Sequence, residues 1–245
     1  MGHKPDYSYS NGVVMYPNVQ AYDRGVMFNP DGRLFQVEYA KEAVRKGATS
    51  IGLIADEAVV FVAHKNIVEP LSVPTTIQKV FRIDAHIGAT YSGMVADGLH
   101  IVDMARNSTQ NHRLIFDDIK SVESLAKGIS SYMMQPTLYG GMRPYAVSML
   151  LGGVDSEPRL FEIEPGASFL GYQADAIGVG KKVATEILQK EYKKNMSVDD
   201  AIGLSIKILK KISEEKLTQD HLDIGYVKAG SDFVLLSPDK LGGYI

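Results

Sequence analysis

Apolar residues along this chain recur with two periods, and the periods come in blocks. The first block is helical. Leu34, Val37, Ala40 and Val44 follow one another at three- and four-residue steps, one face of a 3.6-residue repeat, and predict a helix over 33–46. Phe35 and Tyr39 are four apart and make a second apolar stripe beside the first. Pro30 and Asp31 supply a start signal, Lys41, Arg45 and Lys46 suit the negative end of the helix dipole, and Gly47 closes it. Two apolar stripes imply a groove that covers the helix on more than one side. Because it precedes the first strand of the body, the helix is expected to be a lid or plug.

From Thr49 the period changes. Runs rich in Val, Ile and Phe at 49–55 and 58–63, joined at Asp56-Glu57, predict a hairpin, and 79–84 with 87–92, turning at Ala85-His86, predict a second. Amphipathic helices are expected over 96–110 and 118–134. Strands follow at 145–151 and 159–164, with Gly152-Gly153 and Pro158 between them as a turn. Helices at 181–194 and 198–216 come next, the latter capped by Ser197 with Asp199 and Asp200 in its first turn. A hairpin over 223–228 and 233–236 ends the chain.

Strands grouped as hairpins argue antiparallel sheets rather than alternating βαβ units. Runs such as Ile51-Gly52-Leu53-Ile54-Ala55 and Val147-Ser148-Met149-Leu150-Leu151 are apolar on both faces, so each needs a layer on each side. Two packed sheets, each covered outside by a helix pair, meet that demand. The expected fold is α+β, a four-layer αββα sandwich with an extra N-terminal helix. Nothing splits residues 22–245, which read as one domain. Residues 1–21, with scattered Gly, Pro and Asn and no period, read as a mobile arm; Tyr7, Tyr9, Tyr16 and Val13-Val14-Met15 leave open a partner or a second copy of the arm.

Composition narrows the function classes. A net charge of −3 and a pI near 6.1 lack the basic excess of a nucleic-acid or membrane-surface binder. The absence of cysteine removes disulfides and thiolate metal sites and fits a reducing compartment. No apolar run approaches a bilayer span and no secretory leader is read, so cytoplasm is the expected location. The six histidines show no helical ligand pair, and neither a metal nor a cofactor is expected. Gly178-Val179-Gly180-Lys181 has part of a phosphate loop, but Lys182 and Asp175 occupy the positions of its Ser/Thr and first glycine, so a tight strand-to-helix turn is expected. The terminal Gly243-Tyr244-Ile245 is assigned no docking role.

Five segments carry a resemblance. Tyr22-Asp23-Arg24, Asn29 to Ala40, Ser92 to Asp97, Tyr139 to Tyr145 and Ala176 to Gly180 are similar to proteasome α subunits, most of all the archaeal type. The resemblance runs from Tyr22 to the last hairpin and implies the sandwich of N-terminal-nucleophile hydrolases. In the related β subunits a processed N-terminal threonine attacks the substrate, its own amine serving as base. By the resemblance that position falls on Gly47, with Thr49 matching a threonine two residues on, His64 standing for an acid and Lys79 retaining a buried lysine. Glycine cannot attack, and the upstream helix runs straight into it. An active threonine peptidase of the same fold is therefore disfavoured, and no catalytic residue is assigned.

The resemblance implies instead an outer ring of seven identical α subunits that meets β subunits, gates entry of unfolded protein substrates and docks regulatory ATPases or other activators. Lys79, with Gly47, Gly93 and Lys41, matches a pocket that receives activator C-terminal tails, an ammonium–carboxylate contact of about 1.5–3 kcal/mol. Without the resemblance, Lys79 reads as a strand-start lysine paired with a local acid. Tyr22, Asp23, Pro30 and Tyr39 match a cluster that stabilises the open gate, and residues 1–21 match the gate itself. Tyr139, Gly140, Gly141 and Met142 match the loop lining the pore annulus, or read as an ordinary helix-to-strand loop.

Overall fold

A computed structural model describes residues 9–10, 13–14, 27–67, 71–213 and 216–244. Strands β1 (Tyr9–Ser10) and β2 (Val13–Val14) pair antiparallel. Helix α1 (Phe35–Arg45) precedes the hairpin β3 (Ser50–Ala55) and β4 (Ala58–His64). The hairpin β5 (Val80–Asp84) and β6 (Ile87–Gly93) leads into α2 (Val95–Phe116) and α3 (Val122–Leu138). Four strands follow: β7 (Val147–Val154), β8 (Pro158–Ile163), β9 (Phe169–Gly171) and β10 (Ala174–Ile177). Helices α4 (Lys181–Glu191) and α5 (Val198–Ile212), strands β11 (Leu222–Lys228) and β12 (Val234–Leu235), and the short α6 (Pro238–Leu241) complete the order.

The strands form two five-stranded antiparallel sheets, β10-β3-β4-β11-β12 and β5-β6-β7-β8-β9. Three apolar layers hold them. Val59, Phe61, Ala63, Val80, Leu150, Leu160 and Phe233 fill the space between the sheets. Ile51, Leu53, Val60 and Val62 face Ile187, Ile202, Ile206 and Leu209 of α4 and α5. Tyr91, Met149 and Leu151 face Ile101, Leu125, Ile129 and Met133 of α2 and α3. This is the four-layer sandwich, and each layer converts apolar area removed from water into stability.

Several boundaries differ from expectation. Gly152-Gly153 is no turn: both glycines lie inside β7, where a β-carbon at 153 would sit 2.2 Å from the His86 carbonyl oxygen, and the chain reverses at 155–157. Strands β9 and β10 lie in a stretch whose pattern predicts no strand. Helix α2 runs six residues past the expected Gln110, ending where Asp117 turns left-handed at φ 52. Helix α3 starts after Ser121, whose hydroxyl accepts from the Ser124 N–H, so Asp118 and Ile119 lie outside it. Helices α4 and α5 end earlier than expected, at Glu191 and Ile212. The Ser197 cap is present as a reciprocal pair with Asp200.

Helix α1 also departs from its expected start. Asn29 Oδ1 accepts from the Asp31 and Arg33 N–H groups at 3.1 and 2.8 Å, closing a separate turn, and Leu34 stands at the N-cap without a side-chain bond. Val37, Ala40 and Val44 are buried against β6 and β7. Among the described residues the second stripe is only partly covered: Phe35, half-buried, stacks on Tyr39 at 6.4 Å, and Tyr39 is 51% exposed. Among the described residues the helix is buried along the Val37, Ala40 and Val44 stripe.

Candidate functional site

The junction of α1 and β3 places Gly47 where the resemblance puts a nucleophile. The Gly47 N–H is an ordinary peptide amide that donates to the Val44 carbonyl at 2.9 Å, so it offers no free amine. Its carbonyl accepts from the Val179 N–H at 2.9 Å. A β-carbon built on Gly47 would lie 2.3 Å from Ser92 Oγ and 2.5 Å from the Gly93 amide nitrogen. No side chain of any kind fits there without displacing β6, so this position has closed around glycine. Thr49 is buried, and its hydroxyl accepts from the Gly180 N–H at 3.0 Å. His64, at the expected acid's position, ends β4 and stacks on His221 at 6.0 Å.

Of the four expected pocket residues, Gly47 and Gly93 are in contact. Gly93, at φ +116, ends strand β6 with its amide against Gly47. Lys79 lies one strand over, only 8% exposed, with its ammonium 4.4 Å from the centre of the Tyr91 ring. Burial lowers the Lys79 ammonium from 10.5 to about 8, and the Asp223 carboxylate opposes that shift. Asp223 also accepts from the Lys79 and Val80 backbone N–H groups at 2.7 and 2.9 Å. A local acid is thus present, as the plainer reading expects, while the cation itself rests on an aromatic face. Lys41 stands apart: it pairs with Glu164 at 3.5 Å over a different cavity.

Two cavities flank Gly47. One, of about 360 Å³, is lined by Gly47, Thr49, His64, Asn66, Val179 and His221. The other, of about 420 Å³, is lined by Lys41, Ser148, Glu162, Glu164, Val179 and Lys181. Val179, in the turn between β10 and α4, borders both. That turn is the strand-to-helix connection expected from its glycines, with Gly178 at φ +94.

Of the expected gate cluster, Tyr22 and Asp23 lie outside the described residues, as does most of the arm. Pro30 and Tyr39 are exposed. The loop from Tyr139 to Met142 is exposed and carries Gly141 at φ +89. Arg143 anchors it with paired bonds of 2.7 and 2.8 Å to Asp97 in the first turn of α2, and Asp97 also accepts from the Ala146 N–H. The Arg143 bonds hold the Asp97 carboxyl below the usual carboxylate range. The sequence pattern gives no sign of this anchor, nor of a buried Glu162–Asp175–Lys181 cluster, because their members are far apart along the chain. Among the described residues no group of three potential metal ligands comes together, and no helix is long and apolar enough to cross a membrane.

The sandwich and the sealed Gly47 define a protein with the architecture of an amino-terminal hydrolase and no place for its nucleophile. Comparison with known proteins gives the family. A family profile described as "Proteasome subunit" matches residues 44–227, and a second, for the N-terminal signature of A-type proteasome subunits, matches 22–43. The chain is 43% identical over 226 residues to "Proteasome subunit alpha" of Archaeoglobus fulgidus, covering 91% of this chain and 92% of the relative. It is 42% identical over 227 residues to the protein of that name in Methanosarcina thermophila, covering 91% and 92%. For that of Methanoregula boonei the identity is 39% over 235 residues, covering 94% and 98%. The chain belongs to the proteasome subunit family and is of the alpha, non-catalytic type.

Proposed function

We propose that this chain forms the outer seven-membered ring of a proteasome core in the cytoplasm, assembles on β subunits, and controls which unfolded chains reach them. The α-type signature over 22–43, leading directly into the sealed Gly47, is the observation that carries this reading. In it, residues 1–21 are the axial gate and 22–245 the body. Tyr22, Asp23, Pro30 and Tyr39 hold the gate's exit path, and Tyr139 to Met142 form the rim of the pore below.

Regulatory ATPases or other activators dock by their C-terminal tails beside Lys79, Gly47 and Gly93. A buried ammonium lowered to about 8 still carries its proton at neutral pH, so it is a ready partner for a terminal carboxylate. Lys41 joins that pocket only if a neighbouring subunit completes it, since within the chain it faces the other cavity. Imaging of the purified chain tests the ring: seven-fold particles are expected, and a lone monomer under all conditions would refute it. A Lys79→Ala variant is expected to form rings and lose tail binding; unchanged tail affinity would remove Lys79 from the pocket. Deleting residues 1–21 is expected to speed entry of unfolded protein into the assembled particle, and an unchanged rate would remove the arm from the gate.

A further inference from the structure

Glu162 on β8, Asp175 on β10 and Lys181 at the start of α4 meet inside the molecule, one from each sheet and one from a covering helix. The Lys181 ammonium bonds both Glu162 oxygens, at 2.6 and 2.7 Å. It is 3.7 Å from Asp175 Oδ2, too far for a hydrogen bond. Asp175 Oδ2 is buried and has no hydrogen-bond donor among the described residues. Glu162 and Asp175 are 4% and 5% exposed. One cation, its side chain 41% exposed, therefore faces two buried carboxylates, and one negative charge is left without a cation of its own.

A proton shared between the carboxylates removes both faults at once: it cancels the extra charge and gives Asp175 Oδ2 its donor. Among the described residues no other side chain supplies a donor to Asp175 Oδ2. Tyr172 faces the cluster as a neutral phenol, held above its usual range by burial and then by Asp175 and Glu162. Glu164 adds negative charge and is occupied with Lys41. Arg45 of α1 pairs with Glu42. Lys182, exposed at the next position of α4, and Ser148 of β7 line the cavity, and neither reaches Asp175 Oδ2.

We propose that Glu162, Asp175 and Lys181 form a single-proton switch: uptake of one proton by the carboxylate pair fastens the turn 178–180, and its release loosens that turn. Asp175 lies just before the turn and Lys181 just after it. When the proton leaves, the carboxylates repel and Lys181 is drawn toward both, shifting the first residue of α4. The turn between them holds Gly47 through the Val179 N–H and Thr49 through the Gly180 N–H. Burial first, and then the Asp175 charge, push the Glu162 carboxyl up to about 7, which sets the working range near neutrality. A carboxyl raised in the folded state contributes stability that is complete below about 4.5 and is lost as pH rises through about 7. An effect on tail docking at Gly47 rests on the function proposed above; the switch itself does not.

Infrared difference spectra of the full-length protein between about pH 6 and about pH 8 read the proton directly. A protonated-carboxyl band is expected to bleach across that range, to be absent in Glu162→Gln, and to move to lower pH in Asp175→Asn, which removes the like charge. No band titrating there, or one unchanged in both variants, would overturn the proton site. Hydrogen exchange at the Val179 amide, corrected for its intrinsic pH dependence, reads the turn. Protection is expected to fall several-fold with rising pH in the wild type and to stay flat in Glu162→Gln. Equal pH responses in the two would overturn the coupling. Neither readout involves activators or peptide turnover, so a failure of the docking reading would leave both intact.

Discussion

Gly47 and Gly93 meet backbone to backbone, with 2.5 Å between the Gly93 nitrogen and the place a β-carbon of residue 47 would occupy. Two glycines in register let α1 run into β3 flush against the end of β6. The position to which the resemblance assigns the nucleophile is here a packing contact.

Installing a hydroxyl should therefore cost stability without giving activity. Gly47→Thr is expected to lower stability by about 1–3 kcal/mol, the usual range for forcing atoms into a filled site, and to show no peptide hydrolysis. Thermal melts and a fluorogenic peptide assay on the same preparation check both halves. An unchanged Tm would mean that the junction is looser than the distances imply.

Thr49 supports the same junction from the other side. Thr49→Val keeps the shape and removes the acceptor of the buried Gly180 N–H, so a loss of about 1–3 kcal/mol is expected. Denaturant titration measures it, and a loss below a few tenths would mean that water or another acceptor replaces the hydroxyl.

Lys79 is held charged in a buried place at the expense of stability. Its folded-state value, about 8, lies below the ordinary 10.5, so the unfolded chain binds the extra proton more readily between those values. Stability is thus expected to rise as pH climbs from about 8 to about 10.5. Lys79→Met should flatten that rise and raise stability at neutral pH by about 1–2 kcal/mol, since the burial cost it removes outweighs the ring contact it loses. Unfolding curves across this pH range decide it; a wild-type rise retained in Lys79→Met would assign the proton elsewhere.

The Asp97–Arg143 pair fixes the loop 139–142 to the start of α2. Asp97→Ala leaves Arg143 and the Ala146 N–H without their acceptor and is expected to cost about 2 kcal/mol, less than a fully buried pair because Arg143 is half exposed. Because the Asp97 carboxyl is lowered, its contribution is present above the ordinary carboxylate range and is lost as pH falls below it. Hydrogen exchange across 139–145 should quicken in Arg143→Ala, and unchanged exchange would mean that the loop holds itself.

Much of the architecture was legible in the alternation of periods. The hairpins β3–β4 and β5–β6 and the helix pairs stand out because their apolar positions repeat over whole elements. Strands β9 and β10 do not. They have three and four residues, and Asp175 interrupts the second, so their pairing with β8 and β3 makes them strands. Gly152-Gly153 misled because glycine pairs usually mark turns, whereas these allow close backbone approach inside β7. The half-buried Phe35 and exposed Tyr39 show the reverse limit: a stripe announces a neighbour without saying what supplies it. At the site, Gly47, Lys79 and Gly93 were found through the resemblance of short motifs, while Glu162 and Asp175 were invisible because only the fold brings β8 and β10 to one point.

The most direct measurement is peptide hydrolysis by the full-length chain in a preparation confirmed free of β subunits. No turnover above buffer is expected, with activity appearing only when β subunits are added. Turnover by the chain alone, abolished by altering residue 47 or by blocking a newly exposed N-terminus there, would contradict the account at its root.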